Sequence, residues 1–98
     1  MTPEGRVKNS IRAYMRGTGW TLVHYPGNTF SFPGFPDYIA LRKGVCIFIE
    51  VKSAKGKLTE AQENAKKVIE GQGFLHITAR SASDVHDALV SANILKEG

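Results

Sequence analysis

Val7, Ile11, Tyr14 and Met15 recur at intervals that place them on one stripe of an α-helix. Thr2-Pro3 predicts the start: a hydroxyl to cap the first free N–H groups, then a proline at the first helical position, where its missing N–H costs nothing. Gly17 and Gly19 end the segment. Arg6, Lys8, Arg12 and Arg16 are assigned to the opposite face, either as solvated charge or as a surface for phosphate. A second stripe, Leu58, Ala61, Ala65, Val68 and Ile69, predicts a helix from Thr59 to about Gln72, stopped by Gly71 and Gly73. Val85, Ala88, Leu89 and Ala92 predict a last helix from about Ser81.

Between the helices the pattern is that of strands: Trp20 to Tyr25, Asp37 to Arg42, Val45 to Lys52 and Phe74 to Thr78. Only Lys43-Gly44 separates the second from the third, short enough for a hairpin. Pro26 to Pro36, rich in Gly, Pro, Asn and Ser, is a loop. Its Phe30, Phe32 and Phe35 are expected to tuck against the core; the alternative is contact with a partner. The order αβββαβα, without repeat or linker, predicts one α/β domain over residues 1–98, a mixed central sheet flanked by helices.

Composition narrows the function classes. Ninety-eight residues suffice for one core and are too few for two. No stretch approaches the roughly 18 apolar residues of a membrane span, and the N-terminus lacks the apolar core of a signal peptide, so a cytoplasmic location is expected. A lone Cys46 excludes an internal disulfide and a cysteine-rich zinc site, and its apolar neighbours predict a small buried side chain. His24, His76 and His86 are scattered and none is expected to be a ligand. The net charge of +4 points weakly toward a polyanion such as nucleic acid.

The candidate chemistry lies on the hairpin. Glu50 and Lys52 project from one strand face while Val51 points the other way. If Lys43 and Gly44 are the two turn residues, Arg42 pairs with Val45 and Asp37 falls opposite Glu50, with Cβ atoms roughly 4.5–5.5 Å apart. A three-residue loop would shift the register by one. Ile39, Leu41 and Phe48 on one face, and Ala40, Ile47 and Ile49 on the other, predict a central, mostly buried hairpin. A carboxylate pair in such a place is costly unless a cation neutralises it or one member is protonated. Asp37, Glu50 and the Val51 carbonyl are hard oxygen donors suited to Mg²⁺ or Mn²⁺, and Lys52 could orient or deprotonate an attacking water. Taken singly, Glu50 and Lys52 also fit a plain ion pair, and Asp37 a cap on the Pro36 turn.

Gly34-Phe35-Pro36-Asp37, then twelve residues, then Glu50-Val51-Lys52, resembles the PD-(D/E)XK nuclease signature. Continued through Ser53-Ala54-Lys55-Gly56-Lys57-Leu58-Thr59-Glu60-Ala61-Gln62, it is similar to the virus-type replication-repair nuclease (VRR-NUC) domain, over Glu4 to about Thr78. The resemblance implies a restriction-endonuclease-like fold. It also implies a Mg²⁺- or Mn²⁺-dependent endonuclease acting on branched or structured DNA, of the Holliday-junction-resolving kind and of phage or prophage origin. The site residues it implies are Glu4, Asp37, Glu50, Lys52 and Gln62. Cutting two strands symmetrically takes two sites, hence an expected homodimer. Glu4 equally suits the positive end of a helix dipole, and Thr59 to Gln62 equally fits a capping box. Lys55 and Lys57, with Arg12 and Arg16, are candidate phosphate contacts or ordinary solubilising charge. The competing classes are a DNA-binding module of the same fold that does not cut, and a subunit of a restriction or RNA-processing nuclease.

Overall fold

The computed structural model describes residues 1–26 and 32–96. Helix α1 (Pro3–Gly17) starts as its sequence dictates: Thr2 is extended and its hydroxyl accepts a hydrogen bond from Gly5 N, with proline in the first turn. Strand β1 (Thr21–His24) follows, then β2 (Tyr38–Arg42) and β3 (Val45–Val51). Lys43 and Gly44 both hold positive φ, 46° and 80°, as a two-residue turn with the twist of its flanking strands requires. Arg42 pairs with Val45, so the two-residue turn sets the register. Helix α2 (Glu60–Gly71) carries a complete capping box at Thr59 and Gln62. Strand β4 (Leu75–Ala79) and helix α3 (Ala82–Ser91), capped by Ser81, complete the chain.

The four strands form one sheet in the order β1-β2-β3-β4. The first three are antiparallel, and β4 runs parallel to β3, joined to it through α2. The fold is therefore the mixed-sheet α/β domain that the pattern predicts. Its strands are one or two residues shorter or shifted at their ends, β4 running on to Ala79.

Because side chains alternate, the sheet has two unlike faces. Tyr38, Ala40, Ile47, Ile49, Val51, Ile77 and Ala79 share a face that is buried under Ile11 and Met15 of α1 and Val85 and Leu89 of α3. Trp20 closes this core. Helix α2 lies on the other face, against β4, with Ala65 and Ile69 turned inward.

One expectation about the hairpin needs correction. Among the described residues no helix covers the half of the α2 face formed by β1 and β2, leaving Val23 43% and Leu41 42% exposed, and Cys46 only half-buried. Twelve residues of α2 cover β4 and reach no further. Val68, on the predicted apolar stripe, is likewise exposed.

The aromatic residues before Asp37 divide. Phe35 packs between Tyr25, Phe32 and Phe48, with ring centroids 4.6, 5.6 and 5.7 Å away. Phe32 itself is exposed. Phe30 lies outside the described residues.

Candidate active site

Asp37 sits one residue ahead of β2, just beyond the buried Pro36. Its backbone carbonyl accepts a hydrogen bond from Tyr25 N at 2.9 Å, which continues the β1–β2 pairing past the end of both strands. Its side chain is fixed separately, Oδ2 accepting from Val51 N at 2.8 Å. Upstream, Gly34 has φ +74° and lies against the Ala61 and Gln62 backbone at the start of α2, with no room for a Cβ. The Gly-Phe-Pro-Asp stretch is thus clamped to α2 on one side and to the sheet on the other.

Tyr38 pairs with Ile49, and continuing that register by one pair sets Asp37 opposite Glu50. Glu50 is 4% exposed. Burial, then the adjoining Asp37 carboxyl through a hydrogen bond and through charge, push the Glu50 carboxyl up to about 8, with Lys52 opposing them. Two acids side by side in a poorly solvated place hold on to a proton. Val51, between Glu50 and Lys52, buries its side chain in the opposite core. In extended backbone a residue's N–H and C=O leave by the same edge, so the Val51 carbonyl is directed to the Asp37 side, as its N–H is. Lys52 N donates to Ala79 O at 3.0 Å, anchoring the strand end to β4. Its methylene stem lies beside Gly56, whose carbonyl accepts from Arg80 Nη2.

The remaining predicted residues are not all drawn in. Glu4 is on the first turn of α1 and bridges to Lys8, with Oε2 at 3.7 Å from Nζ, so it reaches Asp37 only through that lysine. Among the described residues no three His, Cys, Asp or Glu side chains form a metal-sized cluster. Gln62 is committed to its helix: its Oε1 accepts from Thr59 N at 2.9 Å, and its own N donates to Thr59 Oγ1 at 3.2 Å. Lys55 and Lys57 are exposed on the loop after β3. Arg16 is exposed, whereas Arg12 is partly buried, bonded to Asn9 Oδ1 and, at 3.5 Å, to the Tyr38 hydroxyl.

Three residues escaped the sequence reading. Lys8, assigned to the face opposite the apolar stripe as solvated charge or a phosphate contact, instead places Nζ 3.5 Å from Asp37 Oδ1. A signal was present: Lys8 stands three residues before Ile11 and seven before Met15, on their stripe. Thr78 pairs in register with Glu50, and among the described residues its buried hydroxyl has no hydrogen-bond partner. Arg80 pins the basic loop through Gly56, and no periodicity marks it. A concavity of about 760 Å³ lies at the far end of the hairpin, lined by Gly19, Thr21, Leu41 and Arg42 among others, and shares no residue with this site.

The donor set fits a hard divalent cation. Two carboxyls on facing strand positions and a backbone carbonyl on the same side supply oxygen. Burial and the adjoining Asp37 carboxyl both oppose ionisation of Glu50, and a bound cation would let the two acids carry charge together.

Two comparisons bear on this arrangement. A family model described as archaeal Holliday junction resolvase (Hjc) matches residues 5–82. A solved structure titled "VRR_NUC domain" matches with a TM-score of 0.73 and 26% sequence identity, over 93% of this chain and 97% of that one.

Proposed function

Because the chain belongs to the archaeal Holliday junction resolvase family and has a PD-(D/E)XK nuclease fold, we propose that it is a Mg²⁺- or Mn²⁺-dependent endonuclease that cuts branched DNA, four-way junctions above all. The observation that carries this reading is the buried Glu50 carboxyl held against Asp37 with Lys52 on the same strand face. Asp37, Glu50 and the Val51 carbonyl would hold the metal. When bound, such an ion polarises a phosphodiester and lowers the pKa of water. Lys52 orients the attacking water and offsets negative charge as it builds on the phosphate. Lys55, Lys57 and Arg16, exposed around this end of the molecule or along α1, contact phosphates without reading bases. Arg12 contributes more by fixing Tyr38 than by reaching outward. Glu4 acts through Lys8, and Gln62 serves first as a helix cap.

One domain carries one such site, and resolving a junction requires paired cuts, so the working form is a homodimer. The uncovered face at Val23 and Leu41 supports this, because apolar side chains left that open are covered at low cost by a second copy.

The test is cleavage of four-way, flapped and linear DNA in Mg²⁺ and Mn²⁺ by wild type and Lys52→Ala. The wild type should cut junctions, and the variant should fold yet cut at least about 100-fold more slowly. Junction binding without cleavage in either metal would replace this reading with that of an inert binding module.

A further inference from the structure

The one cation within ion-pairing distance of Asp37 among the described residues belongs to neither the signature nor the basic loop. Lys8 reaches Asp37 from α1, with Nζ 3.5 Å from Oδ1, and is also 3.7 Å from Glu4 Oε2. Asp37 has two oxygens, and Val51 N occupies the other at 2.8 Å. Oδ1 is the Asp37 oxygen that no backbone N–H occupies, and Lys8 lies over it.

The contact is loose. At 3.5 Å it is longer than the roughly 2.7–2.9 Å of a tight charge-assisted hydrogen bond. The Lys8 side chain is 26% exposed and has a flexible four-carbon stem, so its head can move without disturbing α1. Glu4, one helical turn earlier, keeps that head partnered if it leaves Asp37. A tight contact with no second partner would be a fixed structural bridge; this one is built to be surrendered.

We propose that Lys8 is a built-in counter-ion that competes with a divalent cation for Asp37 and so sets how much metal the site requires. In the metal-free protein the ammonium lowers the repulsion around Asp37. On metal uptake Lys8 withdraws to Glu4. Lys8 is a positioning residue: it acts through Asp37 and not on the reacting atoms.

The inference rests on the metal-dependent reading of the site, and calorimetric titration of the full chain with Mn²⁺ at neutral pH, without DNA, separates the two. Lys8→Met, which keeps the stem and removes the charge, should bind Mn²⁺ about tenfold more tightly than wild type. Lys8→Arg should stay close to wild type, and Lys8→Gln provides a second neutral variant should Lys8→Met fold poorly. A lysine that merely braced α1 would give the opposite sign, since its loss would loosen Asp37. Uptake of Mn²⁺ by a neutral variant alone supports the counter-ion. Equal or weaker uptake by the neutral variants overturns it and leaves the nuclease proposal standing. No uptake by any of these proteins overturns both.

Discussion

The two faces of the sheet are built by different rules, and adjacent residues of β3 belong to each. Ile47, Ile49 and Val51 point into a core closed by α1 and α3, fully buried among apolar side chains. Glu50, one position from Ile49, points the other way, beside Asp37 and in register with Thr78, whose hydroxyl has no partner among the described residues. That second face also buries His76, whose pKa is lowered by burial and by Lys66 of α2, and leaves Val23 and Leu41 in the open. Stability is concentrated on one side and chemistry on the other. The two-residue period of a strand lets seven residues of β3 serve both.

Substitutions on either side should separate accordingly. Ile49→Ala, which empties part of the dry core, should cost roughly 3 kcal/mol in urea unfolding while the folded fraction still cuts junctions. Loss of cleavage in protein that remains folded would show that the faces are coupled.

The neighbouring Glu50→Gln should move stability in the opposite direction. Glu50 is raised from 4.5 to about 8 in the folded protein, so the stability it contributes is complete below the lower value and is lost as pH rises toward the upper one. Glutamine keeps the uncharged shape at every pH. The metal-free variant should therefore exceed wild type already at pH 6 by on the order of 2 kcal/mol, roughly 10 °C in thermal midpoint, and match it near pH 4. It should not cleave. Equal midpoints at both pH values would mean that Glu50 is ionised without penalty.

Thr78→Val removes a buried hydroxyl with no partner and should gain about 1 kcal/mol in the metal-free protein, read by the same melts. The smallest change expected for the monomer comes from the uncovered half. Leu41→Lys should alter unfolding by less than about 0.5 kcal/mol. Sedimentation should nevertheless show the variant as a monomer under conditions where wild type is a dimer. A variant that still dimerises would place the self-association surface elsewhere.

Much of this division is written locally in the chain. The alternation of Ile47, Ile49 and Val51 with Phe48 and Glu50, closed by a turn that only two residues separate, is enough to bring Asp37 and Glu50 together. Thr2, Thr59 and Gln62 announce their helix starts because capping uses neighbouring backbone groups alone. Lys8 was harder to see: its stripe includes Ile11 and Met15, yet whether a charge at the end of an apolar stripe meets solvent or a carboxylate depends on where the helix end overhangs the sheet. The exposure of Leu41 was hidden for a related reason. An apolar alternation on both faces signals burial, but how far one helix extends across a sheet is decided by its docking on β4, not by the strand beneath.

The hydrogen bond from Tyr25 N to the Asp37 carbonyl brings the two ends of the intervening segment side by side. A crossing whose ends are already tied can change in length with little entropic effect, about 0.6 kcal/mol for each doubling. The crossing from Tyr25 to Asp37 can thus be lengthened, shortened or exchanged in descendants of this chain while Asp37 stays fixed. What the protein recognises can then diverge, generation after generation, without reopening the site that Asp37 anchors.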